Sequence, residues 1–277
     1  MKELLFGTAG IPFSTEPRNT VNGVITARKL GLGCMELEFV RNVNVSKEAA
    51  PEVKQAAKEN KIELSCHCSY YINLAAIEKE KRGASRSRLV QAATRLDESG
   101  GTRGAVFHPG FYMKRDAPTV YPIVLEQMKK ARKELDDKGH NVTLRPETSG
   151  KLAGWGTLKE TLRVCNEVEN TLPCIDISHL HAITQGGYNK KTEFEDLFND
   201  VEKELGKQAL RDMHFHAQGI EYTERGERNH LPIDESDFNY RDFLLVLKEY
   251  KIAGTVICEA PDPEADVLKM HKIYQKL

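Results

Sequence analysis

Short apolar runs bounded by turn residues alternate with longer segments of helical period along the whole chain. The apolar runs read as buried strands, whereas apolar positions recurring at i, i+3, i+4 and i+7 read as amphipathic helices. On this pattern the strands are 4–9, 35–40, 62–67, 104–108, 142–147, 174–179, 212–216 and 254–259. Helices are expected over 46–60, 86–99, 121–138, 158–168, 192–205, 240–250 and 265–277. Strands that alternate with helices imply a parallel sheet with crossover helices. Eight such units at this length favour an α/β fold closed as a (β/α)8 TIM barrel over an open doubly wound sheet. No Pro/Gly/Ser-rich linker interrupts the pattern, so residues 1–277 are expected to form one barrel domain. The segment 217–237, rich in Glu, Arg, Asn and Pro, reads as an irregular insertion after the seventh strand, where barrel enzymes carry functional loops.

Composition changes this picture little. With 40% hydrophobic and 29% charged residues and a formal net charge of −1, the chain has no global basic field, so any phosphate-binding surface must be local. No window approaches the roughly 18 consecutive apolar residues of a membrane span, and the N-terminus lacks a secretory h-region. A cytoplasmic, monomeric protein without a membrane partner is expected. Six cysteines are too few for a disulfide scaffold in a chain this long. Cys66 and Cys68 flank His67, but alternate strand residues face opposite ways, so both are expected to be core thiols.

The informative chemistry lies at the strand ends. Strand three ends in His67, strand four in His108, strand five in Glu147, strand six in Asp176 and His179, strand seven in His214 and strand eight in Glu259. In a barrel these ends converge on one mouth. A lone buried His or carboxylate is more often a hydrogen-bonded structural group. Six successive strands ending this way point instead to a divalent-metal site with more ligands than one tetrahedral ion uses, and hence to a bridging carboxylate between two ions. Imidazole nitrogen with carboxylate oxygen suits Zn2+, with Mn2+ or Fe as alternatives. His216 shares a face with His214 and is an equal candidate for ligand or structural group, while His181 reads as structural.

The segments Ser65–Leu74, Phe107-His108-Pro109-Gly110, Pro146–Gly150, Cys174–His179, Met213-His214 and Ile257–Pro261 together resemble the endonuclease IV family, with Gly7–Gly10 similar to the family's first strand. The resemblance implies hydrolysis of the phosphodiester 5′ to an abasic site in double-stranded DNA by a cluster of three zinc ions. His67, His108 and Glu147 would hold one ion, and Glu147, Asp176, His214 and Glu259 a second, with Glu147 as the bridge and Glu259 as an auxiliary proton acceptor. The third ion is held in the family by a histidine matching His179 and an Asp-Arg-His triplet, which here reads Glu227-Arg228-Asn229 and is followed by His230. Because a neutral amide is a poor zinc ligand, two tightly bound ions and a weak or absent third are expected, with His230 able to substitute if the loop is shifted by one residue. After His214 the chain reads Phe-His-Ala-Gln-Gly, where the family has Leu-Asn-Asp followed by a small residue and a lysine.

The same resemblance assigns DNA recognition to Arg41 and Asn42 after strand two and to Tyr70 and Tyr71 after strand three. Adjacent tyrosines suit stacking where a damaged nucleotide leaves the helix. Lys79, Lys81, Arg82, Arg86 and Arg88 form a basic run that reads first as a solvated helix face. The alternatives are a sugar isomerase or epimerase using one Mn2+ or Mg2+, and a catalytically silent barrel that binds damaged nucleic acid or a phosphorylated ligand.

Overall fold

The structure, a computed structural model, describes residues 3–277. Eight strands, β1 (Leu4–Ala9), β2 (Cys34–Glu38), β3 (Glu63–His67), β4 (Ala105–Phe107), β5 (Leu144–Pro146), β6 (Cys174–Asp176), β7 (Met213–His216) and β8 (Gly254–Cys258), make one parallel sheet. Their order is β5-β4-β3-β2-β1-β8-β7-β6. The two end strands meet through single parallel bridges, Leu144 to Thr171 and Glu147 to Cys174, which close the sheet into the expected TIM barrel with a thin seam. Close approach sets one of its tightest points: a Cβ on Gly254, at φ +137°, would fall inside bonding range of the Met213 carbonyl oxygen, so only glycine lets β8 begin beside β7.

Burial on both faces explains the near-continuous apolar runs of the strands. On β3, Leu64 and Cys66 pack in the helix-facing core while Ser65 and His67 point into the barrel, consistent with alternation. All six cysteines are free and buried.

Several boundaries differ from the pattern reading. The sixth strand stops at Asp176 rather than 179, because the Asp176 carboxylate accepts the His179 amide at 2.7 Å and caps a helix at Ile177–Ile183. Thr20–Lys29, capped by Asn19, is a helix that its weak apolar periodicity concealed. The helices expected from 86 and 121 begin earlier, at Lys79 and Ala117, the second with Asp116 as its cap and proline in its first turn. The expected irregular insertion is a β-hairpin, Gly219–Thr223 paired with Gly226–Leu231.

Candidate metal centre

Register between neighbouring strands decides which side chains meet. Glu36 and Glu38 on β2 lie beside Ser65 and His67 on β3, and His214 on β7 lies beside Thr255 on β8. Residues two apart on a strand face the same way and rise by roughly 7 Å, so the barrel interior is filled in layers.

In the deeper layer, the fully buried Glu36 carboxylate accepts from Ser65 Oγ at 2.6 Å and lies 3.1 Å from His214 Nε2 and 2.9 Å from His216 Nε2. His214 Nδ1 is 2.8 Å from Thr255 Oγ1. At the mouth, the two oxygens of the buried Glu147 carboxylate divide the histidines between them. Oε2 faces His67 Nε2 at 3.2 Å and His108 Nε2 at 3.3 Å. Oε1 faces His216 Nδ1 at 3.1 Å and His179 Nδ1 at 3.4 Å. His216 Nδ1 also lies 3.4 Å from Glu259 Oε2, and Asp176 Oδ2 lies 3.3 Å from His179 Nδ1 while accepting from Gln218 Nε2 at 2.8 Å.

Among the described residues, five sets have ligand atoms within 4.8 Å of one another: His67, Glu147 and His216; Glu147, Asp176, His216 and Glu259; His179, Glu227 and His230; Cys174, His214 and His216; and Glu36, Glu38 and Glu259. The structure therefore brings His216, rather than the expected His214, to Glu147, Asp176 and Glu259. β7 continues for two residues beyond His214, which leaves that ring one layer down, between Glu36 and Thr255.

His230, not Asn229, faces His179 and Glu227, for a backbone reason. In the hairpin Glu221 pairs with Asn229 but Tyr222 pairs with Glu227, so Arg228 is an extra residue in a β-bulge. In a regular strand, residues three apart point to opposite faces. The bulge returns Glu227 and His230 to one side, with Glu227 Oε2 3.4 Å from His179 Nε2 and Oε1 3.8 Å from His230 Nε2. Asn229 instead donates its amide to Glu221 at 2.8 Å.

Burial would raise the Glu147 carboxyl, yet the charges of His108 and His216 and hydrogen bonds from His179 and His216 hold it well below its usual range. Burial likewise opposes charge on His216 and His179, but Cys174 with the Glu259, Glu36 and Glu147 carboxylates raises His216, and Asp176, Glu147 and Glu227 raise His179 to about 10. Glu38 keeps the burial effect and is raised to about 8. At His108 and His214 desolvation wins, and both fall to about 4. The donor chemistry fits a divalent ion: nitrogen and oxygen atoms now paired through protons are the atoms that ligate once the protons leave. Cys66 and Cys68 join none of these sets.

The mouth opens into a cavity of about 380 Å³ lined by His67, Tyr70, His108, Phe111, Lys151, His179, Glu227, His230 and Glu259, among others. Tyr70 and Tyr71 are both well exposed, at 61% and 64%. Arg41 and Asn42 lie apart from the cavity, in a second cleft shared with Ser69, Arg88 and Gln91. Much of the basic run is occupied structurally, Arg82 on the Ala76 and Ile77 carbonyls and Arg86 on Gln127. His181 is pinned between the Gly187 carbonyl and Asp237, in keeping with its structural reading. Glu36, Glu38, Phe111 and Lys151 escaped the sequence reading. The alternation that flagged His216 would also have flagged the carboxylates of Cys34-Met-Glu-Leu-Glu38.

A parallel barrel whose strand ends collect imidazoles and carboxylates defines a class of TIM barrels equipped to bind metal. The profile of the xylose isomerase-like TIM barrel family matches residues 24–277, and the chain belongs to that family. It is 43% identical over 274 residues to an uncharacterised protein of Methanocaldococcus jannaschii, covering 99% of this chain and 98% of that one. It is 23% identical over 195 residues to a probable endonuclease 4 of Bacillus licheniformis, covering 68% of this chain and 63% of the relative. Among solved structures, endonuclease IV from Thermus thermophilus superposes with a TM-score of 0.71 at 18% identity, covering 98% and 99% of the two chains. A D-tagatose 3-epimerase-like protein superposes with a TM-score of 0.72 at 16% identity, covering 98% and 96%. Among the described residues, no helix is long and apolar enough to cross a membrane.

Proposed function

We propose that this chain is a metal-dependent phosphodiester hydrolase that cleaves DNA on the 5′ side of abasic sites. The observation that carries the reading is the division of Glu147, with His67 and His108 on one oxygen and His216 and His179 on the other. A carboxylate shared in this way suits a bridge between two ions. His67, His108 and Glu147 would hold one, and Glu147, Asp176, His216 and Glu259 the second. His179, Glu227 and His230 would hold a third, more weakly, because Glu227 and His230 are only partly buried. Zinc suits this nitrogen and oxygen set best, with manganese or iron as alternatives. Bound ions supply water acidified to a pKa of about 7 and neutralise charge developing on a phosphate.

The chain's own groups do the rest. Glu259, beside His216, is placed to accept a proton, and Lys151, whose Nζ is 3.9 Å from Glu227 Oε1, can pair with a non-bridging phosphate oxygen at the rim. Tyr70 and Phe111 offer exposed rings for stacking beside the metal centre. Relatives named as probable endonuclease 4 support the same reading.

One observation favours a second reading. Glu147, Asp176, His216 and Glu259 by themselves complete a set for one ion, and a solved epimerase-like barrel is as similar as the nuclease. A single-metal sugar isomerase or epimerase would use that set, but it leaves His67, His108 and His230 without a role. Elemental analysis together with nicking of an abasic duplex separates the two. More than one ion per chain and EDTA-sensitive incision are expected; one ion with ketose turnover and no incision would establish the epimerase.

A further inference from the structure

We infer that Glu36 is a positioning residue for the metal centre, fixing which nitrogen of His216 faces Glu147 and Glu259. The inference rests on the metal-binding reading above. A histidine ring can present either nitrogen, and the hydrogen bond made by one determines which is left to ligate. His216 Nε2 lies 2.9 Å from Glu36 Oε1, while Nδ1 lies 3.1 Å from Glu147 and 3.4 Å from Glu259. A carboxylate can only accept, so Glu36 keeps the proton on Nε2 and leaves the Nδ1 lone pair toward the mouth.

Glu36 is itself held rigidly. Its Oε2 accepts from Ser65 Oγ and faces His214 Nε2, and His214 is fixed in turn by Thr255. Glu36 also lies within 4.8 Å of Glu38 and Glu259, but both its oxygens are taken by Ser65, His214 and His216, so its role here is to hold His216. The chain of contacts Thr255, His214, Glu36, His216 ties three strands of the barrel, β8, β7 and β2, to the Glu147 carboxylate. A purely packing role would need no charge at this depth, since an unpaired carboxylate in the barrel interior is unfavourable.

The test uses the full chain, wild type and Glu36→Gln, which keeps size but removes the charge. Zinc affinity is read by competition with a chromophoric chelator at fixed pH, and the visible spectrum of the cobalt-substituted protein reports ligand orientation. Glu36→Gln should weaken one zinc site about 10- to 100-fold and shift the cobalt spectrum, with the metal-free melting temperature little changed. Wild-type affinity and an unchanged cobalt spectrum in the variant would overturn the inference. If that variant fails to fold, long-range 1H–15N spectra of the zinc-loaded wild type decide. Nδ1 of His216 bound and Nε2 protonated supports the inference, and Nε2 bound refutes it. A wild-type chain that takes up no metal refutes the metal reading and this inference together, whereas normal uptake with an indifferent Glu36 refutes the inference alone.

Discussion

The two ends of the candidate centre are built differently. Glu147, Asp176, His216 and Glu259 are set at barrel strand ends, and the first three are fully buried. His179, Glu227 and His230 come instead from a one-turn-capped helix and a surface hairpin, and the last two are partly open to solvent. Strand register fixes the inner set, and two of its members are braced from behind, His216 by Glu36 and Asp176 by Gln218. A single extra residue, Arg228, fixes the outer set. The inner set should therefore tolerate little and the outer set should be separable from it.

The hardest break falls on the residue the two share through His179. Glu147→Gln keeps the side chain's size but removes the charge that two cations would share, and single-turnover incision of an abasic duplex should fall by about 10³-fold or more. A fall under about tenfold would end the bridging role.

Deleting Arg228 removes the bulge and should turn His230 to the far face of the hairpin. Metal analysis of dialysed protein should then show the loss of only the weaker ion, as should His230→Ala. Unchanged content in both variants would show that the outer set holds no ion. Incision should slow rather than vanish, because the inner set still neutralises the phosphate.

Tyr70 lines the cavity onto which both sets open, its ring 6.3 Å from that of His67. Tyr70→Ala should raise KM for the abasic duplex about tenfold, in line with the ~1–3 kcal/mol of a stacked base, while leaving kcat and metal content near wild type. A kcat effect with unchanged KM would place the ring in the chemistry instead of recognition.

The smallest effect is expected at Asn229, which pairs with Glu221 on the exposed side of the hairpin. Asn229→Ala should change stability by less than about 0.5 kcal/mol and leave metal content unchanged. Loss of an ion on that substitution would mean that Asn229, not His230, completes the outer set.

The sequence alone determined the barrel and the kinds of side chain at its mouth, since alternating strand and helix periods and repeated His, Asp and Glu at strand ends are local signals. His67, His108, Glu147, Asp176, His179 and Glu259 were legible because each closes an apolar run. Glu36 was not, because it sits inside a strand and its importance lies in partners 29, 178 and 180 positions away. The choice of His216 over His214, and of His230 over Asn229, was likewise decided only by tertiary structure. A strand's period of two assigns faces only once its end and its register are known, and a slip or bulge of one residue exchanges them. Those limits are set by hydrogen bonds to other strands and, at Asp176, by a cap that ends the strand and starts a helix.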